Sequence, residues 1–279
     1  MKNIFFIILL AILTCTINSK AQDNYKLEYK FETGKTYLFK DISKGKTTQE
    51  MMGQEDRTDI KSETVIKIVP ESLATEGNNS LLVSVDTAKI TLITKKGDVN
   101  PDLSNLLGKR TRIIVTNLGR ISKKETVDPI RLRGMAENFD MGEMIQFSSV
   151  VFPESEIKIG DKWKSSWQDT VEAMGGKSVA ESKFEYKLTG TEVKNNHSCL
   201  KISYEGKITS EGKGSMQGME IYFEKENSID GILYFDHANG LIIADESESE
   251  EISTISTTGA HSMMIPIIQT VESKRILME

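Results

Sequence analysis

Cysteine, histidine and proline are scarce: two, three and five among 279 residues. Cys15 lies in the N-terminal segment that ends at Ala21, so once that segment is removed Cys199 stands alone and has no partner for an internal disulfide. His197, His237 and His261 fall in separate turns or loops with no metal-ligand spacing. Few prolines leave long strands uninterrupted. No apolar run approaches the roughly 20 residues of a membrane-spanning helix. Acidic side chains outnumber basic ones, 41 to 35, which argues against nucleic-acid binding, where clustered Lys and Arg displace counterions. Gly-x-Ser-x-Gly, His-Glu-x-x-His and a phosphate-cradling glycine loop are all missing. The glycine-rich stretch 212–218 is followed by no helix pattern and reads as a flexible loop.

What is present begins with an export signal. Lys2 precedes the apolar run Ile4 to Leu13, and Ser19-Lys20-Ala21 forms a small-x-small cleavage site. Lipid anchoring at Cys15 is the alternative, but bulky Leu13 before Thr14 departs from the lipoprotein pattern, so cleavage after Ala21 is the reading taken. The product is expected to be periplasmic or extracellular. Without residues 1–21, which hold Lys2 and Lys20, 33 basic side chains face 41 acidic ones, a net charge of −8.

Past the signal, period-2 alternation dominates, the mark of half-buried strands. Tyr25–Phe31, Thr64–Val69, Leu82–Val85, Arg112–Val115, Lys183–Leu188, Leu200–Tyr204, Ile232–Phe235 and Leu241–Ala244 all follow it. Turns rich in Gly, Asn and Asp separate them, so antiparallel hairpins are expected. Asn100-Pro101 to Gly108 predicts a short helix, and Asp128-Pro129 with the capping box Asp140 to Glu143 predicts a helical connector. Landmarks of the two halves correspond: Gly34 to Tyr37 with Gly160 to Trp163, Val83 to Val85 with Ile202 to Tyr204, and the hairpin glycines Gly119 and Gly240. Offsets near 120 point to a duplicated β unit, although glycine turns at similar spacing occur in any β protein. The expected fold class is mainly β: tandem antiparallel curved sheets, half-barrel-like, with a short helical connector. The expected boundaries are a signal at 1–21, β units at 22–127 and 153–279, and the connector at 128–152.

This order of features, with Thr47-Thr-Gln-Glu-Met-Met-Gly53 and Ile159-Gly-Asp-Lys-Trp163 as its landmarks, resembles an uncharacterised family of secreted β-rich proteins from Gram-negative envelopes. The resemblance covers nearly the whole chain past the signal, but its motifs are short and none is catalytic, so it implies no site residues. More loosely, the layout is similar to half-barrel lipoprotein carriers, whose helix-covered concave face holds acyl chains. That likeness implies a fold and not a function.

No catalytic residue, cofactor or metal site is expected. His197 and Cys199 share a strand face but make only two ligands, and read as a turn histidine beside a buried thiol. In Asp245 to Glu251 the carboxylates of Glu246, Glu248 and Glu250 share a face, which suits a solvated strand better than a calcium loop. Methionine pairs at 51–52, 141 and 144, 216 and 219, and 263–264 are expected to fill the core, with pocket lining and copper(I) as alternatives. Trp163 and Trp167, four apart on a strand, point the same way and read as structural anchors or as walls of a groove. The candidate ligand contacts are therefore Met135, Phe139, Met141, Met144 and Phe147 as a cover, with Trp163 and Trp167 beneath. A hydrophobic small molecule or lipid is the expected partner. A structural or adhesion module without a pocket is the alternative.

Overall fold

In the computed structural model, residues 23–51, 53–71, 77–129, 150–173, 176–216, 219–258 and 262–278 are described. The signal segment and the five connector candidates Met135, Phe139, Met141, Met144 and Phe147 lie outside them. Twelve strands follow in order: β1 Tyr37–Met51, β2 Gln54–Pro70, β3 Asn78–Thr94, β4 Gly97–Val99, β5 Arg110–Thr116, β6 Ile121–Thr126, β7 Lys162–Ala173, β8 Gly176–Lys194, β9 His197–Met216, β10 Met219–Asp236, β11 Leu241–Thr257 and β12 Met264–Met278. They form one unclosed antiparallel sheet in the order β6-β5-β3-β2-β1-β12-β11-β10-β9-β8-β7, with β4 hanging from β3.

Strand for strand, β1, β2, β3, β5 and β6 run in the same spatial order as β7 to β11, and β12 stitches the two meanders together. Gly34 and Gly160, both at positive φ, precede the first strand of each meander, and Gly119 and Gly240 turn the last hairpin of each. Val83 and Ile202 are both fully buried at corresponding places. One sheet, not two, results because β12 pairs along nearly its whole length with β1 on one side and β11 on the other.

The register defines an inner face. One row crosses seven strands as Thr64, Asp41, Arg275, Asp245, Leu233, Ile202 and Leu188. On this face, toward one end of the strands, lie Tyr37, Phe39, Ile68, Leu81, Val83 and Ile113 of the first meander and Trp163, Tyr186, Leu188, Ile202 and Leu233 of the second, all buried. Two segments outside the sheet cover them. Residues 25–31 insert Leu27 and Tyr29, and residues 150–157 insert Val150, Phe152 and Ile157. Each such side chain contributes about 1.5–3 kcal/mol by leaving water.

Tyr25–Phe31 was expected to be a sheet strand, and it is instead a strap across the inner face. Its alternation reports half-burial, but its backbone groups pair away from the ladder: Tyr25 N donates to Ile157 O (2.7 Å), Tyr29 N to Asn117 O (2.7 Å) and Lys30 N to Gly240 O (3.0 Å). Phe152 N donates to Leu118 O (2.8 Å), so the two covering segments together span the gap between the β5–β6 turn and β7. The helix expected from Asn100 to Gly108 shrinks to a single 3-10 turn, Ser104–Leu106. Pairing of Leu107 with Val85 and the bond from Gly108 N to Val85 O (2.8 Å) tie this segment to β3 before a helix can extend. The helical part expected of the connector falls almost wholly on 130–149, outside the described residues; its last residues, Val150 to Phe152, carry no regular structure and pack on the core.

The stretch expected as a loop at 212–218 is largely strand. Gly212 and Gly214 lie within β9, and the ring of Phe223 occupies the space where a Gly212 side chain would sit. Nor do all methionine pairs fill the core. Met51 and Met264 stand at the ends of adjacent hairpins, 44% and 71% exposed. Among the described residues nothing covers these two hairpin ends.

Candidate functional site

Away from the strap, the inner face remains half-exposed, and on β7 to β9 it carries a line of aromatic rings. Period-2 alternation puts Trp163 and Trp167 of β7 on this face, and pairing sets Trp163 beside Tyr186 and Tyr186 beside Tyr204. The rings run in near-parallel contact: Trp163 to Tyr186 at 5.1 Å, Tyr186 to Phe184 at 5.9 Å and Phe184 to Trp167 at 5.4 Å between centroids. Such pairs add about 0.5–1.5 kcal/mol each beyond their burial. Trp163 is the fixed end, 9% exposed, with its indole N–H donated to Val151 O at 2.9 Å. Trp167, at 38%, is the exposed end.

Glycines shape this wall. Phe184 lies over Gly206 and Tyr204 over Gly231, so a methyl at either glycine overlaps the ring. A Gly206→Ala substitution is expected to displace Phe184 and cost about 1–3 kcal/mol, with a shifted Trp167 emission reporting the displaced ring. Thermal unfolding and fluorescence check both effects.

Beside the aromatic wall the floor is polar. Arg275 grips Asp41 with two bonds, Nε to Oδ1 at 2.7 Å and an Nη to Oδ2 at 2.6 Å, above the Phe39 ring. Asp245, in the same row, accepts a bond from the Tyr204 hydroxyl at 2.8 Å. Burial holds the Asp245 carboxyl above the ordinary aspartate range, and burial also raises the Tyr204 hydroxyl. The Tyr186 hydroxyl, buried among the rings, is pushed up to about 12. One row further, Ser62, Ser43, Ser273 and Ser247 stand on four adjacent strands, with Oγ separations of 2.7 Å for Ser43–Ser62 and 3.0 Å for Ser247–Ser273. The next row returns to apolar and small residues, including Leu92, Ile60, Val271 and Ile229.

The other candidates fall elsewhere. His197 Nδ1 meets Asp236 Oδ2 at 2.8 Å, and Asn239 donates to the same carboxylate, so this group braces the β10–β11 turn. The Cys199 thiol is buried, pushed up to about 11 by burial, and directed at the His197 carbonyl. Glu246, Glu248 and Glu250 occupy the outer face, where Glu246 pairs with Lys194 (3.0 Å) and Lys274 (2.9 Å) beside a cleft of about 520 Å³. Among the described residues no three His, Cys, Asp or Glu side chains converge as metal ligands, and no helix is long and apolar enough to cross a membrane. Of the seven sequence candidates, the structure brings Trp163 and Trp167 onto one wall. Sequence reasoning missed Phe184, Tyr186 and Tyr204, although their alternation within β8 and β9 carried the signal.

A family of unknown function (DUF6263) matches residues 135–242. No curated protein matches. Among solved structures, the chain is similar to OccK11 (OpdR) of Pseudomonas aeruginosa, 6% identical with a TM-score of 0.21, over 91% of this chain and 100% of that one. OccK8 (OprE) of the same organism is 6% identical with a TM-score of 0.22, over 88% and 99%. An outer membrane channel from Pseudomonas putida F1 is 8% identical with a TM-score of 0.20, over 88% and 97%.

Proposed function

We propose that this chain is a non-catalytic, exported envelope protein that holds an extended apolar ligand against the inner face of its sheet. The observation carrying this reading is the ring series from buried Trp163 to exposed Trp167, which leaves aromatic surface in contact with water where an open sheet gains by covering it. The N-terminal sequence supports export, and the polar groups along the groove are engaged with one another rather than arranged around a nucleophile.

A second reading has its own support. At the strap end the inner face is filled by Leu27, Tyr29, Phe152 and Phe235, as expected of a structural module with no ligand. The two readings differ in what Trp167 does. Titration with a fluorescent acyl-chain probe is expected to quench Trp167 saturably, and Trp167→Ala to weaken binding about tenfold, which corresponds to losing about 1.4 kcal/mol of apolar contact. Mass spectrometry of native and delipidated protein is expected to show a co-purifying lipid. No lipid and no saturable quenching leave the structural module as the function.

A further inference from the structure

We infer that the ligand is an amphiphile with an uncharged, hydroxyl-bearing head, seated on the polar band that crosses the inner face beside the aromatic wall. This inference rests on the groove reading above and adds the chemistry of the head group.

The band is placed where a head belongs. It lies between the strap-covered core and the apolar row of Leu92, Ile60, Val271 and Ile229, so a chain lying along the groove ends on it. Its groups remain within reach of solvent: Ser43, Ser62 and Ser247 are half-buried and Ser273 is exposed. Arg275 and Asp41 keep side-chain exposures of 18% and 30%.

Charge excludes the other heads. Arg275, the one cation that the described residues place on the band, is already neutralised by two bonds to Asp41, so it offers a carboxylate or phosphate no free countercharge. For a cationic head, the carboxyls of the band offer no free countercharge either: Asp41 is held by Arg275, and Asp245 accepts from Tyr204 in surroundings whose burial disfavours the ionised form. What remains is hydrogen bonding. A serine hydroxyl both donates and accepts, so four of them in a row match a head that carries several hydroxyls of its own. The serines bond to each other in pairs, Ser43 with Ser62 and Ser247 with Ser273, and each oxygen keeps a second lone pair for a ligand.

The test compares a monoacylglycerol, a fatty acid and an alkylamine of equal chain length, each titrated against Trp167 fluorescence in protein recovered after export. The monoacylglycerol is expected to bind about tenfold more tightly than either charged probe. The double variant Ser247→Ala with Ser273→Ala is expected to lower monoacylglycerol affinity several-fold and to leave alkylamine affinity unchanged, with circular dichroism confirming an intact sheet. Equal affinities for the three probes, or the fatty acid binding most tightly, overturn the head-group assignment while leaving the groove in place. Silence from all three probes overturns the assignment together with the groove reading on which it rests.

Discussion

Replacing Phe235 by alanine is expected to lower the unfolding free energy by about 3–5 kcal/mol, the usual loss for a fully buried aromatic. Phe235 is completely buried, with its ring centroid 4.6 Å from Phe152 and 5.8 Å from Tyr29. Those partners belong to the two segments that cover the inner face, so the ring joins sheet, strap and the approach to β7 at one point. Collapse into the resulting cavity is limited because its lateral neighbour Leu200 is held by pairing with both β8 and β10, and Ile242 on the other side is paired with β10. The loss should be seen as a lower urea midpoint with an unchanged slope. Amide exchange should quicken first at Tyr29 and Phe152, whose backbone bonds to Asn117 and Leu118 fix the cover. A loss below about 1 kcal/mol, or exchange spread evenly over the sheet, contradicts this account of the core.

The second large effect is electrostatic. Substituting Arg275 by leucine removes both bonds to Asp41 and leaves Asp41 and Asp245 facing an apolar side chain. The expected cost is roughly 2–3 kcal/mol at neutral pH, less than at a fully buried pair because water still reaches both partners. The pH dependence has a definite sign. Asp245 has its folded-state pKa raised by burial, and the Arg275 charge opposes that rise. A carboxyl that binds its proton more tightly when folded loses stability as pH climbs from the unfolded value, about 4, through the folded one. Arg275→Leu should therefore be less damaging at about pH 4 than at about pH 7. Adding Asp245→Asn should remove much of that difference. Equal losses at both pH values, measured by urea unfolding, count against a role for Asp245.

Much of this was legible in the sequence because it depends on period alone. Trp163 and Trp167 are four apart, so any strand puts them on one face, and the structure does so. Alternation also marked eight segments, seven of which lie within strands. Tyr25–Phe31 is the exception, and for a physical reason: alternation records that one side of a segment is apolar, not which backbone will satisfy its N–H groups. Two members of the methionine pairs depart from expectation similarly. Thioethers suit cores, but Met51 and Met264 stand at hairpin ends that nothing among the described residues covers.

The sequence by itself determined the mainly β class, the antiparallel hairpins and their turns, the matching landmarks of the two meanders and the facing of the two tryptophans. All of these follow from interactions between residues close in the chain. Only the tertiary structure decided that the meanders share one sheet through β12, that the strap fills one end, and that Asp41 meets Arg275 across 234 positions. Those outcomes depend on which strand edges find each other, and an edge offers the same unpaired N–H and C=O groups whatever its side chains are. The polar band exists because that choice brought Ser43, Ser62, Ser247 and Ser273 into one row.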